Sequence, residues 1–187
     1  MAPNAALRWN ATAMTLHWLT VIVVLVAFAY GPGGSENRVY DASRDFERQL
    51  HESLGLIVLG LTLLRLVWRF AAARPASPPS PRWMTIAAKA VQVALYVLLL
   101  ALPATAATGA WLEGHPLTLL AGVRIGPLLT ESHALGATIA EVHGWLGDAI
   151  MWLAGAHAAA ALWHHLVLRD GVLASMLPGW MPLRRPR

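Results

Sequence analysis

The chain has no cysteine among its 187 residues. That single absence removes disulfides, thiolate zinc sites, iron–sulfur clusters and the C-x-x-C-H attachment of c-type haem. Charge is scarce as well. Only 13% of residues are Asp, Glu, Lys or Arg while 57% are hydrophobic, against about 25% and roughly 45–50% in soluble domains. An ordinary water-soluble enzyme does not fit this balance. No internal repeat is evident. Any metal or haem must be held noncovalently, and eight histidines are the obvious ligands.

What is present is long apolar sequence. Four stretches, about 12–30, 51–70, 84–110 and 139–168, are each long enough to cross a bilayer as a helix. The expected fold is therefore all-α, an integral-membrane bundle of four transmembrane helices forming one domain over residues 1–187. The first connection opens with Gly31, Pro32, Gly33 and Gly34, and the second is the proline-rich AAARPASPPSPRW, which cannot continue a helix. The third, about 111–138, includes the moderately apolar HPLTLLAGVRIGPLL, read as an interfacial segment rather than a span. Arg8, Arg65, Arg69, Arg74, Arg82, Lys89, Arg169, Arg184, Arg185 and Arg187 fall on one side, against Arg38, Arg44, Arg48 and Arg124 on the other. The positive-inside rule then places both termini in the cytoplasm, so the basic character is a topology signal and not one for nucleic acid. Trp9, Trp68, Trp83, Trp111 and Trp180 lie near span ends, where interfacial aromatics belong. A competing reading of the first segment is a secretory signal ending at Ala27-Phe28-Ala29, but the run is long and contains His17.

Intramembrane ionisable residues point to function by default, and four histidines fit one geometric scheme. His143 and His157 are fourteen residues apart, almost four helical turns, so they project from nearly one face at depths about 21 Å apart. Helix 1 starts inside and helix 2 outside. His51 therefore meets His143 near the outer surface, and His17 meets His157 near the inner one. Two imidazoles on facing helices are what a six-coordinate haem iron needs, so the spacing predicts two haem sites. Gly55, Gly144, Gly147, Gly155 and Ala158 to Ala161 adjoin these histidines. They leave room for a flat macrocycle, or they simply let membrane helices pack closely. Arg65, fourteen residues after His51, reaches the inner depth, where it either meets a haem propionate or snorkels. His164, seven residues beyond His157, is either a quinone or proton contact or an interfacial polar residue. Asp148 is off the ligand face, as a proton-handling group or a polar contact between helices. His115 and His133 are read as surface residues of the third connection.

The motifs TLHW at 15–18, HESLG at 51–55, VHGWLGD at 142–148, HAAAALWHHLVLRDG at 157–171 and MLPG at 176–179 resemble the bacterial cytochrome b561 family over nearly the whole chain. The resemblance implies a four-helix protein of the bacterial inner membrane with two b haems, ligated by His17, His51, His143 and His157. The short form is most similar to the superoxide oxidase branch. That likeness implies oxidation of periplasmic superoxide to dioxygen, with electrons passed through both haems to ubiquinone, and it links His164 with the quinone site. A mouth that captures superoxide should be electropositive, yet Glu36, Asp41, Asp45 and Glu47 are interleaved with Arg38, Arg44 and Arg48. Steering requires the fold to segregate them. Two other readings stand beside this one: a cytochrome b anchor subunit of a hydrogenase- or formate dehydrogenase-like complex fed by a periplasmic redox donor, and a haem-free transporter or assembly factor. Beyond lipid, quinone and the electron donor, the sequence implies no partner, and it names no catalytic residue.

Overall fold

The computed structural model describes residues 8–73, 75 and 80–178. Arg74, Gly179, Trp180, Arg184, Arg185 and Arg187, used above, lie outside that range. Asn10 caps the first helix, α1 (Ala11–Ala29), its side-chain oxygen accepting from the Ala13 N–H at 2.9 Å. After a short α2 (Glu36–Val39) and a 3-10 turn (Ala42–Arg44) comes α3 (Asp45–Ala71). This helix begins six residues before the expected start at 51. Polar residues extend it, because Arg44 pairs with Glu47 at 2.9 Å and Arg48 with both Asp45 and Glu52 at helical spacing, and Asp45 and Glu47 suit the positive end of the helix dipole.

The third long helix, α4 (Arg82–Leu112), follows Pro81. The fourth, α5 (His133–Trp163), also starts six residues earlier than expected, so His133 lies on a helix and not in a connection. At its other end His164–Leu168 widen into a π-turn, closed by Arg169 at φ 54° before the one-turn α6 (Val172–Ser175). Between α4 and α5, the expected interfacial segment is a small antiparallel hairpin, β1 (Leu117–Thr118) with β2 (Arg124–Ile125), in register Leu117 with Ile125 and Thr118 with Arg124. It is clasped on both sides. The Trp111 indole donates to the Ile125 carbonyl at 2.9 Å, and the Thr118 and Leu120 amides donate to Glu52 and to Ser53 Oγ of α3.

Among the described residues three helical stretches are long and apolar enough to cross a membrane: Ala11–Ala29, Ala42–Ala71 and Arg82–Leu112. The sequence reading expected four. With 31 residues, α5 is about 46 Å long, ample for a crossing, but its histidines, glycines, tryptophans and Asp148 dilute its apolar character. The outside of the bundle is apolar, with Phe70, Ile86, Val67 and Leu64 well exposed, as a lipid-facing surface would be and a soluble one would not.

Within the bundle, α1 packs on α3 and α4 on α5, and the α3–α4 contact joins the two pairs. The α4–α5 approach depends on Gly109 and Gly136. A Cβ on Gly136 would lie 2.7 Å from Glu113 Cγ and 3.2 Å from the Gly109 carbonyl. The core is a thin layer at mid-height, Val58, Leu99 and Ile150, flanked by Val23, Val24, Leu95, Leu98, Leu102 and Met151. The buried hydroxyls nearby are satisfied within their own helices, Thr62 donating to the Val58 carbonyl and Thr20 to Leu16, each at 2.7 Å. Val58 is seven residues from both His51 and Arg65, and Ile150 seven from both His143 and His157. Two turns, about 10.5 Å, thus separate the packed layer from each histidine level.

We call the end with the hairpin and the α1–α3 connection the upper end. At the lower end the two ends of the described chain meet. The Trp9 amide donates to the Ser175 carbonyl at 3.1 Å, the Trp18 indole to Met176 at 2.8 Å, and the Trp68 indole to Asn10 Oδ1 at 3.1 Å.

Candidate functional site

At the upper level the rings of His51 and His143 face each other across the bundle, centroids 6.0 Å apart and planes at 88°. A metal–imidazole nitrogen bond is about 2 Å, so two rings binding one ion from opposite sides have centres roughly 6 Å apart. Each ring is already oriented. His51 Nδ1 donates to the Ala27 carbonyl at 2.7 Å, and His143 Nδ1 donates to the Leu102 carbonyl at 3.0 Å, with Thr105 Oγ1 at 3.2 Å. With the proton on Nδ1, each Nε2 carries a free lone pair, the state in which metal-ligating histidines are usually held. Gly31 adjoins the His51 ring, where a Cβ would make ordinary contact 3.4 Å from its Cε1.

The glycines separate the two readings of the small residues. Gly55 and Gly147, each four residues after its histidine, are half-buried, yet an added Cβ on either would meet no atom within 4 Å. They leave space beside the ring pair and are not close-packing glycines like Gly109 and Gly136. Gly144 and Gly155 are exposed and do not line this space. A residue two positions from a ligand projects about 200° away from it.

One turn above His51, Arg48 Nε is buried with no hydrogen-bond partner among the described residues, although both Nη atoms bind carboxylates. An unpaired buried guanidinium nitrogen calls for an acceptor. The sequence reading missed Arg48 as a site residue; its position three before His51 was the available signal. A bis-imidazole haem therefore fits the upper site, with ring centres at about the right separation, both Nε2 lone pairs free, open space beside them and an arginine for an acidic substituent. Among the described residues no group of three or more His, Asp or Glu forms a metal cage.

Above this pair the polar groups of the connections converge. His115 stacks on Tyr40 at 3.5 Å, the Arg48 guanidinium lies 5.1 Å over the same ring, and Glu36 meets His115 Nε2 at 2.9 Å and His133 Nδ1 at 3.8 Å. Burial pushes the Tyr40 phenol above its ordinary value, and the carboxylates of Glu52 and Glu113 add to the rise. Burial likewise raises the Glu113 carboxyl, helped by Glu36 and opposed by His115 and His133. Asp41 goes the other way, held down chiefly by its hydrogen bonds from Ser43. Neither His115 nor His133 is an unattached surface histidine. Arg44 and Arg48 are paired with carboxylates, so these two arginines do not form a segregated positive mouth.

The lower level is built differently. His17, Arg65 and His157 belong to this level, Arg65 and His157 each two turns below the packed layer. Arg65 Nη2 lies 3.3 Å from His17 Nδ1, and Trp18 meets the His17 ring edge-on at 5.3 Å. An arginine only donates, so His17 Nδ1 accepts and its proton sits on Nε2, the opposite tautomer from His51 and His143. The Arg65 guanidinium also lies 5.4 Å over Tyr96, which Arg69 approaches at 6.0 Å. The expected depth of Arg65 is observed, and its partners here are two aromatic rings. Below them the π-turn folds Asp170 back onto His164. One carboxylate oxygen receives His164 Nδ1–H and the other receives the Val172 amide at 3.1 Å. Both side chains are about four-fifths buried, leaving His164 Nε2 as the free nitrogen. Asp170 was not singled out in the sequence; the six-residue interval in HHLVLRD was its only trace.

A family model described as prokaryotic cytochrome b561 matches residues 8–179. The chain is 29% identical to cytochrome b561 homolog 1 of Escherichia coli, over 91% of this chain and 97% of that protein. It is 36% identical to a protein named cytochrome b562 of Cereibacter sphaeroides, with 88% and 91% covered. It is 27% identical to the probable superoxide oxidase CybB of Yersinia pestis, with 91% and 96% covered.

Proposed function

This chain belongs to the prokaryotic cytochrome b561 family, and from that premise we propose that it carries electrons through two noncovalent b haems, from a periplasmic donor to ubiquinone. In this reading all four long helices cross the inner membrane, both termini are cytoplasmic and the upper end is periplasmic. The observation that carries it is the His51–His143 pair, 6.0 Å between ring centres with both Nδ1 protons tied to backbone carbonyls.

His51 and His143 would hold the upper haem through Nε2, with Arg48 Nε serving an acidic substituent. His17 and His157 would hold the lower one, once Arg65 releases His17 Nδ1 and turns to a propionate. When bound, the haems supply one-electron storage and transfer. Delivery to quinone consumes two electrons and two protons. His164 would pass a proton from Nε2 at the lower boundary, with Asp170 holding the ring through Nδ1.

Superoxide is the donor that the likeness to a probable superoxide oxidase supports. One observation favours a second reading, that of an anchor subunit taking electrons from a protein: the carboxylate pairing of Arg44 and Arg48 weakens steering of a small anion. The test is a reduced-minus-oxidised spectrum with a pyridine haemochrome count, expected to give two b haems per chain. Superoxide should then reduce them, and added quinone should reoxidise them. Haem that stays oxidised under superoxide points to a protein donor. Absence of b-type haem overturns both electron-transfer readings and leaves the haem-free one.

A further inference from the structure

Asp148 is the midpoint of α5 (His133–Trp163) and it is exposed. Counting 100° per residue from His143, it points about 140° away from the histidine face. It shares that outward direction with Glu141, Trp145 and Trp152, at helical spacings of four, three and four. Trp145 is 66% and Trp152 82% exposed. The opposite side of the same helix holds His143, Ile150 and His157, and the side near Gly136 and Ala140 packs on Gly109 of α4. Among the described residues no other helix covers the outward stripe. Asp148 is two residues from Ile150, at the level of the packed mid-layer, so neither end of the bundle is near enough for the carboxylate to snorkel. A carboxyl at that depth facing lipid is costly and calls for a partner.

We propose that this stripe is where a second copy of the chain docks. The stripe carries both halves of its own complement. Asp148 is an acceptor, and the indoles of Trp145 and Trp152, about one turn to either side, are donors that can do nothing but donate. A twofold axis along the membrane normal keeps the two Asp148 side chains at one height, from which the indole of Trp145 of the partner subunit or the partner's Trp152, about one turn above or below, reaches each carboxylate, an isologous contact in which one patch satisfies itself. An accessory subunit would have to bring donors of its own to a surface that already presents them. Further down the same face, Gly155, Ala156 and Ala159 are exposed and let two backbones approach closely.

The absence of cysteine makes the test direct. Ala159→Cys puts the chain's single thiol on the stripe, and Val97→Cys puts it on the exposed side of α4. With haem-loaded protein in native membranes, mild oxidation should join Ala159→Cys chains into a homodimer and leave Val97→Cys monomeric. Wild-type protein in nanodiscs should have twice the 20.2 kDa chain mass, and Asp148→Leu should weaken self-association at least 10-fold while keeping both its helical content and its haem. Equal crosslinking at both positions overturns the proposal. So does a wild-type monomer, or an Ala159→Cys crosslink to a different polypeptide, which would assign the stripe to an accessory subunit. If Asp148→Leu fails to fold, the thiol pair in the otherwise native chain still decides.

Discussion

The two histidine levels differ in how completely the polypeptide prepares them. At the upper level both rings are fixed by backbone carbonyls, both Nε2 lone pairs are free, and the glycines below them leave space. At the lower level Arg65 occupies His17 Nδ1 and fixes the wrong nitrogen for ligation. The upper site is held by groups that cannot move without unwinding a helix, whereas the lower is held by a long flexible side chain. A preorganised site forfeits little side-chain freedom on binding; one that must expel an arginine forfeits more. The difference follows from position. Upper helices are bridged by the hairpin and its clasps on α3 and α4, and lower helices are tied through the chain ends.

The largest expected effect comes from removing ligands. His143→Ala and His51→Ala should each lower the haemochrome count from two to one and delete the same spectral component, while His17→Ala and His157→Ala delete the other. A component shared by His17 and His51 would break the pairing on which the comparison rests. An intermediate effect is expected at Arg65. Arg65→Gln should weaken haem retention at the lower site about 10-fold, as loss of an outer-sphere partner typically does, and leave the upper site unchanged in a haem titration of stripped protein. Equal weakening at both levels would show that the arginine supports the bundle as a whole. The smallest effect concerns the upper cap. Burial raises the Glu113 carboxyl above its ordinary value, so folding favours its protonated form. Its stabilising contribution is complete below the usual carboxylate range and is lost as pH rises through the raised value. Glu113→Gln should therefore melt like the wild type near pH 4 and about 2 °C higher near pH 8, with Glu36, His115 and His133 as the other titrating groups of that cluster. A variant less stable at pH 8 would mean that the Glu113 charge is held by a partner.

Much of the site was legible in the sequence because helical periodicity is rigid. Fourteen-residue intervals on α3 and α5 put His51 opposite His143 and Arg65 at the depth of His17, and the structure has both. The early starts of α3 and α5 were not legible from hydropathy, because side-chain ion pairs, not apolar residues, make the first turns of α3. The carbonyls of Ala27 and Leu102 had no sequence signal at all, since every residue has one and only the tertiary fold selects these two. The hairpin was hidden for another reason. HPLTLLAGVRIGPLL is apolar enough to look interfacial, and the turn depends on Gly122 at φ 76°, which a hydropathy profile does not register. Adjacency is a weaker guide than periodicity: Gly155 is exposed, because closeness in sequence to His157 is not closeness on the helix face.

The thin layer of Val58, Leu99 and Ile150 between the two levels has a further consequence. The hydroxyls of Thr20 and Thr62 are spent on their own helices, so among the described residues the side chains of this layer offer no chain of hydrogen bonds along which a proton could hop. Electrons need no such chain. Charge passed between the levels would cross about 21 Å of a hydrocarbon core roughly 30 Å thick with no proton travelling beside it. The transfer would therefore be electrogenic. Membrane voltage, worth about 2.3 kcal/mol per elementary charge per 100 mV over the full thickness, would act on the bare electron and so set the balance between donor and quinone.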